Sequence, residues 1–202
     1  QILGYVAGDL STAAGCDNVY AQVRALAPQV DILINNAGIG MSGLFTEIPE
    51  DRWEQLMQIN LLAPMRLTAR FLPAMIARRS GQIANVSSVA GIIGTPQLVP
   101  YSTAKFGLRG FSEALANELK PYGIAVTVVY PFFARTPILQ SAHYGALPQG
   151  QVPERLVYDP DFVMEQFLRG IRRRQREVFP GALPRALYWL RRFAPWALPR
   201  LG

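Results

Sequence analysis

Tyr101 and Lys105 stand four residues apart, and Ser88 precedes the tyrosine by thirteen positions. On a helix, residues i and i+4 share a face about one turn apart, so the lysine ammonium can sit beside the phenol. A free phenol, with a pKa of about 10, accepts protons poorly at neutral pH, and a fixed cation beside it stabilises the phenolate and lowers that value. Ser88 ends the apolar run Gln82-Ile-Ala-Asn-Val-Ser-Ser88, from which its hydroxyl could hydrogen-bond a substrate oxygen. The three side chains together suit proton transfer to or from a carbinol. The spacing alone also fits an exposed helical tyrosine with a solvated lysine, so the surrounding sequence has to decide.

Those surroundings alternate. Strand-like runs occupy residues 1–7, 31–35, 82–87 and 124–130, and the last, Ile-Ala-Val-Thr-Val-Val-Tyr, is β-branched enough for a buried parallel strand. Helical patterns fill residues 12–27, 50–78 and 101–121 between them. Pro49-Glu-Asp-Arg-Trp53 reads as a helix start with acidic first-turn residues. Pro64 and Pro73 are expected to split or kink the 50–78 pattern, with Asn60 near the first break. Strands alternating with helices at this spacing predict an α/β fold, a doubly wound parallel sheet in three layers. At 202 residues the chain is one domain by length, with material for a large core.

The apolar run 30–34 leads into Asn35-Asn-Ala-Gly38, Asn60 follows on a helix, and Asp9-Leu10 closes the first run. With Ser88, Tyr101, Lys105, Pro131 and Thr136, this order and spacing resembles the short-chain dehydrogenase/reductase family over residues 1 to about 140. The resemblance implies a Rossmann-like fold and a catalytic set in which Tyr101 is the acid/base and Lys105 lowers its pKa and binds the nicotinamide ribose. In the same set Ser88 holds the substrate oxygen and Asn60 anchors a water of the proton relay. It also implies that Asp9 and Leu10 contact adenine, that Asn36, Ala37 and Gly38 pass close to the adenosine ribose, and that Pro131, Ala134 and Thr136 lie by the nicotinamide carboxamide and pyrophosphate. The cofactor so implied is NAD or NADP, the substrate a small alcohol or carbonyl compound, and the assembly a homo-oligomer.

Two departures stand out. Phe132 occupies the place of the family's usual glycine after Pro131, which puts that edge of the site in question. The glycine-rich turn that holds the pyrophosphate in the family's first βαβ unit has no counterpart before Gln1, so the chain reads as missing that unit. The expectations that follow are a run 31–35 left as an edge strand, dinucleotide binding that is weak or absent, and no readable choice between NAD and NADP.

Charge is divided unevenly. Residues 1–168 carry a net −2, whereas residues 169–202 carry 9 Arg against one Glu. The expected organisation is a core over 1–140, a lid and C-terminal helix/strand region over 141–180, and a basic amphipathic tail over 181–202. In the tail Leu183, Leu187, Leu190 and Ala194 recur at helical spacing, with Tyr188, Trp189, Phe193 and Trp196 near arginines. Two readings stay open: an anionic membrane surface that takes Arg and Trp at its headgroups, or an apolar cover for the substrate cleft or a subunit contact. Nucleic acid is disfavoured because the apolar face would have no role. His143 reads as a surface residue or a substrate contact, no metal ligand cluster is expected, and Cys16 is expected to be inert. A lone cysteine fits a reducing compartment and no membrane-spanning run is present, so the expected location is cytoplasmic, with peripheral membrane contact through the tail. The apolar loop 91–100 between Ser88 and Tyr101 favours a hydrophobic substrate, and the competing function class is a non-catalytic binding or scaffold relative.

Overall fold

The computed structural model describes residues 2–150 and 152–200. Among these residues eight strands form in chain order: β1 (Ile32–Asn35), β2 (Ser42–Gly43), β3 (Gly81–Val86), β4 (Ile124–Val129), β5 (Phe133–Ala134), β6 (His143–Tyr144), β7 (Val157–Tyr158) and β8 (Glu177–Val178). The helices are α1 (Ala13–Leu26), α2 (Glu50–Met57), α3 (Ala63–Ala77), α4 (Val99–Glu118), α5 (Pro160–Arg172) and α6 (Ala182–Phe193). Four strands make one parallel sheet in the order β1-β3-β4-β8, and β2-β6 and β5-β7 form two small parallel pairs.

Alternation along the strands divides the core into two layers. Ile83, Ile124 and Val126 face α1, α3 and α4, meeting Cys16, Phe71, Met75 and Leu119. Ala84 and Val129 face the other way and are covered by Phe167 and Ile171 of α5. Helices on both faces of a parallel sheet make the expected three-layer Rossmann-like arrangement.

The chain's start differs from expectation. Residues 2–9 form no strand, and Ile2, Leu3 and Tyr5 are exposed; Gln1, the first residue of the expected strand, lies outside the described residues. A strand is held by a ladder to a neighbour, and none of the described strands pairs with this segment. The expected edge does form: β1 borders the sheet, and its Ile32 and Ile34 side chains are exposed.

The 50–78 pattern breaks once. Pro64 has no N–H to offer the carbonyl of Asn60 four residues earlier, and between α2 and α3 the chain widens into a π turn, Gln58–Leu62. Pro73, expected to interrupt as well, sits inside an unbroken α3. Among the described residues no helix is long and apolar enough to cross a membrane.

Candidate active site

Three chain segments meet at the C-terminal ends of β1, β3 and β4, where ligands bind in open parallel sheets. Two of them are positioned by a buried polar ladder that the sequence reading missed. Register places Asn35 of β1 opposite Asn85 of β3. Asn35 Nδ2 donates to Asn85 Oδ1 at 2.8 Å, and Asn85 Nδ2 donates to Ser112 Oγ at 2.8 Å. Ser112 Oγ then donates to the Leu108 carbonyl at 2.6 Å, so the ladder ties β1 to β3 and β3 to α4. The signal was present in the sequence: an asparagine in the middle of the apolar run Ile-Ala-Asn-Val must find a partner if that run is buried.

Beyond β3, Ser88 caps a short 3-10 turn, Val89–Gly91, its Oγ accepting from Ala90 N at 3.1 Å. The same hydroxyl faces the Tyr101 phenol and pulls its pKa downward. Pro100 opens α4, which places Tyr101 in its first turn and Lys105 one turn on. Lys105 is buried, donates from Nζ to the Val86 carbonyl at 2.8 Å, and lies 5.6 Å from the centre of the Tyr101 ring. Ser87 adds a second tie between the segments, donating to the Lys105 carbonyl at 3.0 Å.

The electrostatics differ from the expected pattern. Burial pushes the Tyr101 phenol above its ordinary value, with the Ser88 hydroxyl pulling the other way, so the phenol keeps its proton at neutral pH. Burial also pushes the Lys105 ammonium down to about 8. The net shift of the phenol is upward although the ammonium stands 5.6 Å from the ring, because the loss of solvent around the phenol dominates.

Asn60 is fully buried in the π turn. Its Oδ1 accepts from Ile39 N and its Nδ2 donates to the Ile39 carbonyl, each at 2.8 Å, which fixes the loop leaving β1. In that loop Asn36, Ala37 and Gly38 are exposed. A Cβ on Gly38 would lie 3.2 Å from Asn60 Oδ1 and 3.7 Å from Lys105 Nζ, so the missing side chain keeps the backbone close above both.

Pro131 joins the cluster through its backbone, its carbonyl accepting from Val89 N at 3.0 Å. Phe132 packs on Phe133 at 4.5 Å, and no left-handed backbone is needed there, so a bulky residue fits where the family's glycine was expected. Ala134 pairs with Tyr158 across β5 and β7, and its carbonyl accepts from Thr136 N at 2.7 Å. Asp9 and Leu10 stand apart. In the turn before α1 the Ser11 hydroxyl, and after it the Ser11 N–H that donates to Asp9 at 2.8 Å, lower the Asp9 carboxyl pKa, and Leu10 packs on the α1 and α3 core. His143, expected as a surface residue or a substrate contact, is half-buried in β6 and bonded to Ser42 Oγ at 2.8 Å and the Leu147 carbonyl at 2.5 Å.

Comparison with known proteins agrees with this geometry. A family model described as short chain dehydrogenase matches residues 2–145. Dehydrogenase/reductase SDR family member 7B of Xenopus laevis is 35% identical over 196 residues, covering 93% of this chain and 59% of that protein. The chain therefore spans less than two thirds of that relative's length. A short-chain dehydrogenase from Sphingobium yanoikuyae in complex with NADPH superposes with a TM-score of 0.75 at 30% identity, over 96% of this chain and 72% of the other. A bulky-bulky ketone specific alcohol dehydrogenase from Comamonas testosteroni does so with a TM-score of 0.75 at 27% identity, over 98% and 71%. A matching family model over most of the chain, with Ser88, Tyr101, Lys105 and Asn60 gathered at the end of its parallel sheet, establishes that the chain belongs to the short chain dehydrogenase family.

Proposed function

We propose that the protein is an NAD(P)-dependent oxidoreductase that interconverts an apolar alcohol with its ketone or aldehyde, with Tyr101 as the acid/base. The observation that carries this reading is the buried Lys105 ammonium 5.6 Å from the Tyr101 ring, with the Ser88 hydroxyl facing the phenol and acting to lower its pKa. In reduction Ser88 hydrogen-bonds the carbonyl oxygen and the still-protonated Tyr101 gives that oxygen its proton. Lys105 supplies the fixed positive charge that stabilises the phenolate left behind.

The residues fit a dinucleotide at its nicotinamide-ribose end. Lys105 directs one donor at Val86 and has two more, and it lies under the exposed Asn36-Ala37-Gly38 backbone where no Cβ intervenes. Asn36, Ala37, Gly38, Tyr101, Lys105, Pro131, Ala134 and Thr136 would hold the cofactor, with Asp9 and Leu10 at its adenine. When bound, it supplies or accepts the hydride at the carbinol carbon. The NADPH complex of the Sphingobium yanoikuyae neighbour supports this cofactor class, and the ketone specificity in the name of the Comamonas testosteroni neighbour supports the substrate class. An apolar substrate is favoured because Tyr101 packs against the apolar cluster that holds Met41 and Ala104, while the buried Ile92 follows Ser88.

The test is a panel of ketones and aldehydes of graded apolar size, each mixed with the protein and NADH or NADPH, followed by loss of the reduced dinucleotide. Turnover that rises with the apolar size of the carbonyl compound is expected. Saturable binding of carbonyl compounds with no turnover for either dinucleotide would establish the non-catalytic reading instead.

A further inference from the structure

The basic end of the chain folds into a surface that the catalytic reading does not use. The leucine side of α6 is directed inward: Pro184 and Tyr188 are buried, and Leu183, Leu187 and Leu190 are half-buried. Tyr188 packs on Ile92 and Val128, so α6 seats the segment that follows Ser88. Three other aromatic residues do not share that fate. Trp189, Phe193 and Trp196 are 48%, 72% and 69% exposed, and the Trp189 and Phe193 rings stack on each other at 5.5 Å.

Beside this aromatic ridge lies a cleft of about 430 Å³ between α5, β8 and α6, with Arg169, Arg173, Arg185 and Trp189 in its lining. Glu177 is the one carboxylate among the lining residues, and its Oε1 already accepts from the Tyr130 phenol at 3.1 Å. A cleft walled by guanidinium groups and rimmed by an indole matches the headgroup layer of an anionic bilayer. Arginine there meets phosphate, and tryptophan sits at the boundary between headgroup and acyl chain. Charge complementarity selects this occupant over a second copy of the chain, because residues 169–202, with 9 Arg against one Glu, would face their own like charge across an interface.

We infer that α5, β8 and α6 form a docking surface for an anionic phospholipid bilayer, with a lipid phosphate seated between Arg169, Arg173 and Arg185 and with Trp189, Phe193 and Trp196 inserted among the acyl chains. The surface itself stands independently of the proposed oxidoreductase activity. Its consequence for substrate rests on that activity: the helix that meets the lipid also seats the turn after Ser88, which names membrane-resident apolar alcohols and ketones as the substrate class.

Vesicle flotation tests the surface directly. The protein is expected to float with phosphatidylglycerol/phosphatidylcholine vesicles, to remain behind with pure phosphatidylcholine, and to be released by high salt. Arg169→Gln/Arg173→Gln/Arg185→Gln is expected to weaken binding about a hundredfold, at about fivefold per arginine. Trp189→Ala/Phe193→Ala/Trp196→Ala is expected to abolish the blue shift of tryptophan emission on binding and to weaken flotation, with unchanged far-ultraviolet circular dichroism for both variants. Undiminished flotation of the aromatic variant would overturn the proposal. So would saturable binding of inorganic phosphate that depends on the three arginines without any vesicle binding, which would make the cleft a free-anion site. A change of sedimentation coefficient in the aromatic variant with no effect on vesicles would assign the ridge to self-association and equally overturn it. Tyr101→Phe should float as the unaltered protein does, so loss of vesicle binding and loss of the oxidoreductase reading are separate results.

Discussion

Asn60 and Ile39 exchange a pair of hydrogen bonds of 2.8 Å, the side-chain amide of one closing on both backbone groups of the other. The pairing sets the height of the Asn36–Gly38 loop above Lys105. Asn60→Ala would leave the Ile39 N–H and carbonyl without these partners, at a cost of about 2–4 kcal/mol in urea unfolding. Any turnover would show a raised KM for the dinucleotide, because the loop that approaches it would be released. Unchanged stability would show that the loop is held by other contacts.

Gly91 gives a sharper test of the turn that carries Ser88. A Cβ there would stand 2.5 Å from Ser87 Oγ and 2.7 Å from the Lys105 carbonyl, and the second neighbour is backbone and cannot swing aside. Gly91→Ala is expected to cost about 1–3 kcal/mol and to reduce kcat by moving Ser88 away from Tyr101. Gly94→Ala, where nothing lies within 4 Å, is the matched control and should leave both quantities near their original values.

Much of this arrangement was legible in the sequence because its signals are local. The apolar run 124–130 became β4, Pro64 broke the long helical pattern beside Asn60, and the i, i+4 spacing of Tyr101 and Lys105 fell on α4. What was not legible depends on partners distant in the chain. Residues 2–9 have the composition of a strand but no described neighbour to pair with, and Pro73 is accommodated where Pro64 is not. The Asn35-Asn85-Ser112 ladder requires the register of two strands and the placement of a helix, none of which follows from spacing. The tyrosine's pKa likewise depends on how deeply it is buried, which a YxxxK motif does not encode.

Lys105 offers a test in stability rather than rate. Its folded-state value of about 8 lies below the ordinary 10.5, so the folded protein binds fewer protons than the unfolded chain between those values. Stability from this group therefore rises as pH climbs from 8 toward 10.5, and the full cost of burying the charge is borne below pH 8. Comparing the protein with Lys105→Met removes the other titrating groups from the balance. The stability difference between the two should shift by about 3 kcal/mol in favour of the unaltered protein from pH 7 to pH 10.5. A pH-independent difference would mean that the ammonium is solvated in the folded state.

The pH profile of turnover separates the tyrosine from the lysine. Burial holds the Tyr101 phenol above its ordinary value of 10.0, so the acid form persists across the neutral range and its own deprotonation cannot limit reduction near pH 8. Lys105 does titrate there, and its loss of charge removes the cation that stabilises the nascent phenolate. The kcat for reduction is therefore expected to fall with a midpoint near 8 and to lose that limb in Lys105→Met, whose residual rate should be flat from pH 7 to 9. Tyr101→Phe should lower kcat at every pH by more than about tenfold while leaving dinucleotide affinity nearly intact, since the ring stays in its packing against the cluster that holds Met41 and Ala104. Retention of more than about a tenth of the rate would remove Tyr101 as the proton donor. An alkaline limb near 8 that persists in Lys105→Met would assign that titration to a different group.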